Sequence, residues 1–184
     1  MKTIFVFGTK NSGKTTIAEY LVKGLSDRGF TVGTIKHIHH EFTIDTEGKD
    51  TYRMRKAGSK LVASFSPSEI ALLRAPGDVE EEFVKLSRQM AEDRFDYLVV
   101  EGFKVVSVGF SAALRVLTCK TPAELDSLVP AVLPDVDCIS GVVATSLGSD
   151  AYRGLRVVRF PQEAEELLSM VLTGAPNRLS PPDK

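Results

Sequence analysis

The chain lacks most of the features that would anchor it, staple it or give it away by charge. Its 184 residues include two cysteines, Cys119 and Cys138, which stand 19 positions apart. That spacing fits no metal-binding pattern, and both read as small buried hydrophobes in a reduced compartment. No run approaches the ~18 apolar residues of a membrane span. The opening "MKTIFVFG" is broken too early by Gly8 to read as a signal peptide. Formal net charge is −1, which leaves no electrostatic footprint for nucleic acid or an anionic membrane. A cytoplasmic protein with neither as partner is expected. Histidine is scarce as well: His37, His39 and His40 are the whole supply. A dinucleotide fingerprint of the form G-x-G-x-x-G is absent from the N-terminal loop. No Asn-Lys-x-Asp run is present to read guanine.

What is present alternates between apolar runs and helical patterns. Apolar content is 43% and charged content 26%, ordinary for a globular chain. The length suffices to bury roughly two-thirds of the unfolded surface without a metal or a disulfide. "TIFVF" (3–7) reads as a strand buried on both faces. Residues 14–29 place Ile17, Leu21, Val22 and Leu25 at helical spacing, with Gly29 as the stop. "TVGTIK" (31–36) completes a βαβ unit, which implies a parallel sheet.

A short basic helix over 48–58 and a hairpin over 60–74 around "SPS" follow. A helix over 76–93 is expected, capped by Asp78, with Val79, Phe83, Leu86 and Met90 as its buried stripe. Strands are expected at 97–100, 113–119, 138–145 and 154–160, and helices at 122–129 and 161–172, the last with Pro161 in its first position. Neither repeat nor linker is visible. One α/β domain over 1–174 with a flexible tail at 175–184 is the expectation.

The most informative stretch is "GTKNSGKT", residues 8–15. Gly8, four residues, Gly13, Lys14 and Thr15 form the phosphate-binding loop pattern. Glycines let backbone approach a ligand closely, successive N–H groups turn toward phosphate oxygens, and the next helix adds its positive end. Lys14 can reach β- and γ-phosphates, and the Thr15 hydroxyl can ligate Mg²⁺. Chance supplies such a pattern on the order of once in a hundred chains of this length. The nucleotide-binding candidates are Gly8, Thr9, Lys10, Asn11, Ser12, Gly13, Lys14, Thr15 and Thr16. Glu101 ends the apolar run "YLVVEG", where such sites keep an acid that orients Mg²⁺ or a water. Lys14 and Glu101 are the catalytic candidates.

Between the second strand and the hairpin lies "KHIHHEFTIDTEGKDTYRMRKAG", the place for a substrate or switch loop beside the ligand edge of the sheet. Lys36, Lys49, Arg53, Arg55 and Lys56 are candidates for phosphate contact and Asp45 and Asp50 for Mg²⁺, with Lys36, Lys49, Asp50 and Arg53 assigned to that loop. Asp45 joins Thr15 and Glu101 as a candidate metal ligand. A solvated, charged loop is the plainer alternative. The three histidines invite a transition-metal site. On extended geometry, however, His37 and His39 face one side and His40 the other, which argues against convergence on one ion. A loop that borders nucleotide or substrate is the better expectation for them. Thr145 and Ser146 are candidates for base contacts.

"FVFGTKNSGKTT", "TIKHIHHEFTIDTEGKDTYRMRKAGS" and "YLVVEGFK" together resemble the MobB-type proteins of molybdopterin guanine dinucleotide biosynthesis. The resemblance covers roughly residues 1–145. It implies a three-layer P-loop NTPase fold with a mainly parallel sheet and a β-hairpin insertion. It also implies a GTP-binding accessory protein with slow hydrolysis and Mg²⁺, working as a homodimer beside a MobA-type molybdopterin guanylyltransferase. A small-molecule kinase or coupled ATPase on the same fold is the alternative reading.

Overall fold

Residues 4–7 of the first strand are apolar without a break because both its faces are covered. The computed structural model describes residues 1–103, 112–132 and 136–174. It divides into two compact units, residues 1–37 with 87–184, and residues 38–86. In chain order the elements are β1 (Lys2–Gly8), α1 (Lys14–Ser26), β2 (Val32–Lys36), α2 (Asp50–Lys56), β3 (Leu61–Phe65) and β4 (Ile70–Arg74). Next come α3 (Val79–Glu92), β5 (Tyr97–Glu101), β6 (Leu114–Thr118), α4 (Pro122–Val132), β7 (Cys138–Ser140), β8 (Ala151–Tyr152), β9 (Leu155–Val157) and α5 (Ala164–Thr173).

The first unit is built on a seven-stranded sheet in the order β2-β5-β1-β6-β7-β9-β8. All its pairs are parallel except β8 with β9. Alternate residues of β1 face opposite sides. Ile4 and Val6 join one cluster with Ile17, Leu21 and Leu25 of α1 and Leu167, Leu168 and Val171 of α5. Phe5 and Phe7 point the other way and are equally buried. The α/β, three-layer arrangement expected of the sequence is therefore the one observed. At the end of α1, Gly29 has φ 85° and its N–H donates to the Ser26 carbonyl, so it stops the helix as expected.

The second unit carries α2 and the antiparallel pair β3–β4, with Val62 opposite Leu73 and Phe65 opposite Ile70. The Ser66 N–H and hydroxyl both donate to the Glu69 carbonyl and close the hairpin turn. The insertion is thus a β-hairpin, as read from "SPS".

Four expectations are corrected. The strand expected over 138–145 ends at Ser140, and Val142–Ser146 is a 3-10 turn. Gly141 has φ 76°, and a Cβ there would overlap the Ser12 carbonyl oxygen. The chain therefore leaves the sheet to pass against the loop after β1. The strand over 154–160 shrinks to Leu155–Val157, and it pairs with the unforeseen β8. The last helix starts at Ala164, beyond Pro161, because the Arg159 carbonyl and N–H both bond Glu163 in a preceding turn. On α3, Phe83 is buried but Val79 and Leu86 are 40% and 42% exposed. Ser87 takes a buried place instead, so the buried stripe is narrower than expected. Asp78 does cap the helix, its Oδ1 accepting the Glu81 N–H at 2.9 Å. The tail from 175 and Lys104 lie outside the described residues.

Candidate functional site

The site begins where β1 leaves the sheet. Gly8 has φ 143°, and a Cβ on it would overlap the Thr118 carbonyl oxygen of the adjacent strand. Thr118 ends β6, beside Gly8 in register, and its carbonyl accepts the Thr9 N–H at 3.1 Å. Asn11 and Gly13 also have positive φ, 58° and 95°. Asparagine is among the few side chains that tolerate this region. Turns of this kind gather successive N–H groups into a concave, anion-binding nest, here at the head of the 13-residue helix α1.

Hydroxyls brace the loop from behind. Ser12 Oγ lies 2.7 Å from the Thr9 carbonyl oxygen and 2.6 Å from Thr118 Oγ1, and both side chains are fully buried. The Val142 N–H donates to the Ser12 carbonyl at 3.1 Å. From the side, the Thr9 hydroxyl donates to Glu124 Oε2 at 2.7 Å. That oxygen also accepts the Lys120 N–H at 2.9 Å. The Thr9 bond, first of all, holds the Glu124 carboxyl below the ordinary range, with the Lys120 N–H next. Thr118 and Glu124 were missed in the sequence, where nothing marks them. Only the pairing of β6 beside β1 brings them to the loop.

Lys14 bends back over the loop, donating to the Thr9 carbonyl and, at 3.4 Å, to that of Gly8. Partial burial lowers its pKa; Glu101 acts against that and Lys36 adds to it. Thr15 Oγ1 donates to Glu101 Oε1 at 2.9 Å. Lys36 Nζ sits 3.1 Å from Glu101 Oε2. The structure thus brings together Lys14, Thr15, Lys36 and Glu101, four residues from three separate elements. A cleft of about 350 Å³ opens beside them, lined by Thr15, Ala18, Val22, Lys36, Val99 and Glu101 among others.

His37 follows β2, and its N–H donates to the Glu101 carbonyl at 2.8 Å. Its ring stacks on Phe103, with centroids 4.3 Å apart. His39 and His40 belong to the second unit, where the chain bends rather than continuing the strand. Among the described residues no three His, Cys, Asp or Glu side chains are grouped to hold a metal ion. Asp45, Lys49, Asp50 and Arg53 also lie in the second unit. The Asp45 carboxylate accepts from the Thr51 hydroxyl at 2.7 Å and pairs with Arg55 at 3.2 Å. Asp50 faces Arg53 at 3.6 Å. Thr145 and Ser146 hydroxyls donate to the carbonyls of Val142 and Val143, each at 2.8 Å. Cys119 and Cys138 are free and buried. No helix among the described residues is long and apolar enough to cross a membrane.

The family model described as molybdopterin guanine dinucleotide synthesis protein B, MobB, matches residues 3–129. The chain belongs to the MobB family. It is 37% identical over 128 residues to the molybdopterin-guanine dinucleotide biosynthesis adapter protein of Escherichia coli K12, covering 68% of this chain and 73% of that protein. The adapter protein of the same name from Haemophilus influenzae is 35% identical over 128 residues, covering 69% and 71%. The crystal structure of Bacillus subtilis MobB superposes with a TM-score of 0.70 at 24% identity, over 92% of this chain and 98% of that one. The Bacillus stearothermophilus MobB homologue gives 0.64 at 20% identity, over 94% and 99%. These two likenesses concern the fold.

Proposed function

We propose that the chain is a GTP-binding adapter in molybdopterin guanine dinucleotide biosynthesis, with slow GTP hydrolysis, working as a homodimer beside a MobA-type guanylyltransferase. The observation that carries the nucleotide reading is the Thr15 hydroxyl held 2.9 Å from the Glu101 carboxylate, at the head of the helix that the phosphate loop opens. Family membership and the adapters of two bacteria support the pathway. The preference for GTP follows from the family resemblance.

In this reading the loop backbone binds the phosphates. Lys14 exchanges the Gly8 and Thr9 carbonyls for phosphate oxygens. The Thr15 hydroxyl and Glu101 carboxylate are hard oxygen donors, a set that suits Mg²⁺ completed by phosphate and water. When bound, the ion neutralises charge on the β- and γ-phosphate oxygens. Glu101 also stands where a side chain can orient a water for attack. Lys36 and His37 border the site, and His39, His40, Lys49, Asp50 and Arg53 belong in this reading to a substrate or switch loop. Asp45 takes part as a metal ligand only by giving up its bonds to Thr51 and Arg55.

Calorimetry with GTP and ATP in the presence of Mg²⁺ tests the proposal. GTP is expected to bind and Lys14→Ala to lose at least about a hundredfold in affinity, since a charge-assisted contact to phosphate is worth several kcal/mol when its partner is left unmet. Tight ATP binding with none for GTP would favour the coupled ATPase or kinase. Unchanged affinity in Lys14→Ala would remove the loop assignment.

A further inference from the structure

Lys36 differs from the other cations near the loop in what it faces. It is the last residue of β2, in register with Glu101, the last of β5. Its ammonium lies 3.1 Å from Glu101 Oε2 and 3.4 Å from Thr15 Oγ1. Thr15 Oγ1 in turn donates to Glu101 Oε1. The chain therefore sets a positive charge of its own against both groups that would hold a divalent ion. The Glu101 side chain is only 13% exposed while that of Lys36 is 52% exposed. A carboxylate so covered is weakly screened by solvent. Its field already reaches Lys14, the cation assigned to the phosphates.

We propose that Lys36 is a built-in counter-cation for Glu101, which lets the phosphate loop take a nucleoside triphosphate without a divalent ion. The inference rests on the nucleotide reading of the loop. A triphosphate brought to the loop meets the Glu101 carboxylate, and the two repel unless a cation stands between them. In phosphate-loop sites generally a divalent ion does this. Here the Lys36 ammonium is in position to do it first. Being half exposed on the end of an edge strand, it needs no repacking to yield to a divalent ion. A lysine that acted only as a ligand of phosphate would behave differently. Its removal would weaken binding by the same factor with and without Mg²⁺.

The test is the dissociation constant for GTP, measured by calorimetry in Mg²⁺ and in EDTA, for the unaltered chain and for Lys36→Met, Lys36→Arg and Lys36→Met/Glu101→Gln. The unaltered chain is expected to retain most of its affinity in EDTA. Lys36→Met should lose at least about ten times more affinity in EDTA than in Mg²⁺. Lys36→Arg keeps the charge and should resemble the unaltered chain. The double variant removes the carboxylate as well and should regain binding in EDTA. Equal losses in the two buffers, no loss in either, or a double variant as weak in EDTA as Lys36→Met would overturn the proposal while leaving the nucleotide site standing. An unaltered chain that binds no GTP in either buffer would overturn the nucleotide reading and this inference together.

Discussion

Glu101 shows how one residue can be legible in type and position yet not in its partners. It is the acid at the end of a buried strand, as the pattern "YLVVEG" implies, but its bonds to Thr15 and Lys36 come from two other elements. Glu101→Gln keeps the shape and removes the charge. It is expected to slow GTP hydrolysis by at least about tenfold, a typical share for a positioned base, while changing affinity in Mg²⁺ by less. Single-turnover hydrolysis beside calorimetry checks this, and equal hydrolysis rates would end the assigned role. Cys119 offers a prediction in pH. Burial first, and the Glu124 carboxylate second, push its thiol up to about 11 from 9.0, with Lys14 opposing. The folded chain thus holds this proton more tightly than the unfolded one. The associated stability is complete below pH 9 and is lost as pH rises through 11. Urea midpoints at pH 8 and pH 10.5 should fall further for the unaltered chain than for Cys119→Ala.

Among the elements, α1 was the most readable and still withheld one contact. Ile17, Leu21 and Leu25 repeat at helical spacing and are all fully buried. Gly24 stands inside that helix, where glycine costs about 1 kcal/mol against alanine. The structure supplies its reason: a Cβ at Gly24 would overlap Leu168 of α5. Gly24→Ala should therefore destabilise the chain by about 1–2 kcal/mol, overpacking exceeding the gain in propensity. Denaturant unfolding measures it, and a more stable variant would show that α5 shifts freely. The elements misjudged from sequence are short or sit where another part of the chain intrudes. β7 is cut at Ser140 by the approach of the Ser12 carbonyl. Val79 and Leu86 are spaced for burial but remain exposed on α3.

At the scale of the molecule, the hairpin carries an exposed apolar face among the described residues. Leu61, Phe65, Ile70 and Leu72 share one face of β3–β4, and Phe65 and Ile70 are 75% and 63% exposed. An apolar, two-stranded face of this kind favours association. The proposed homodimer predicts that Phe65→Glu sediments as a monomer at micromolar concentration while the unaltered chain sediments as a dimer. A monomeric unaltered chain would remove the dimer from the functional proposal. One domain over 1–174 likewise stands as a proposal, for which coincident single transitions by circular dichroism and tyrosine fluorescence are the expected outcome.

Residue order suffices for the local and periodic features: the strand–loop–helix around "GTKNSGKT", the glycine at the end of α1, the Asp78 cap and the hairpin turn. Each depends on residues a few positions apart, whose backbone preferences act before any tertiary contact exists. The tertiary structure alone decided which distant groups share the site. Parallel pairing of β6 beside β1 brings Thr118 and Glu124 against the loop, and the register of β2 with β5 sets Lys36 against Glu101. Those partners lie between 65 and 115 residues apart. At that separation only closure of the sheet, which offsets the loop entropy between them, selects one pairing over the others.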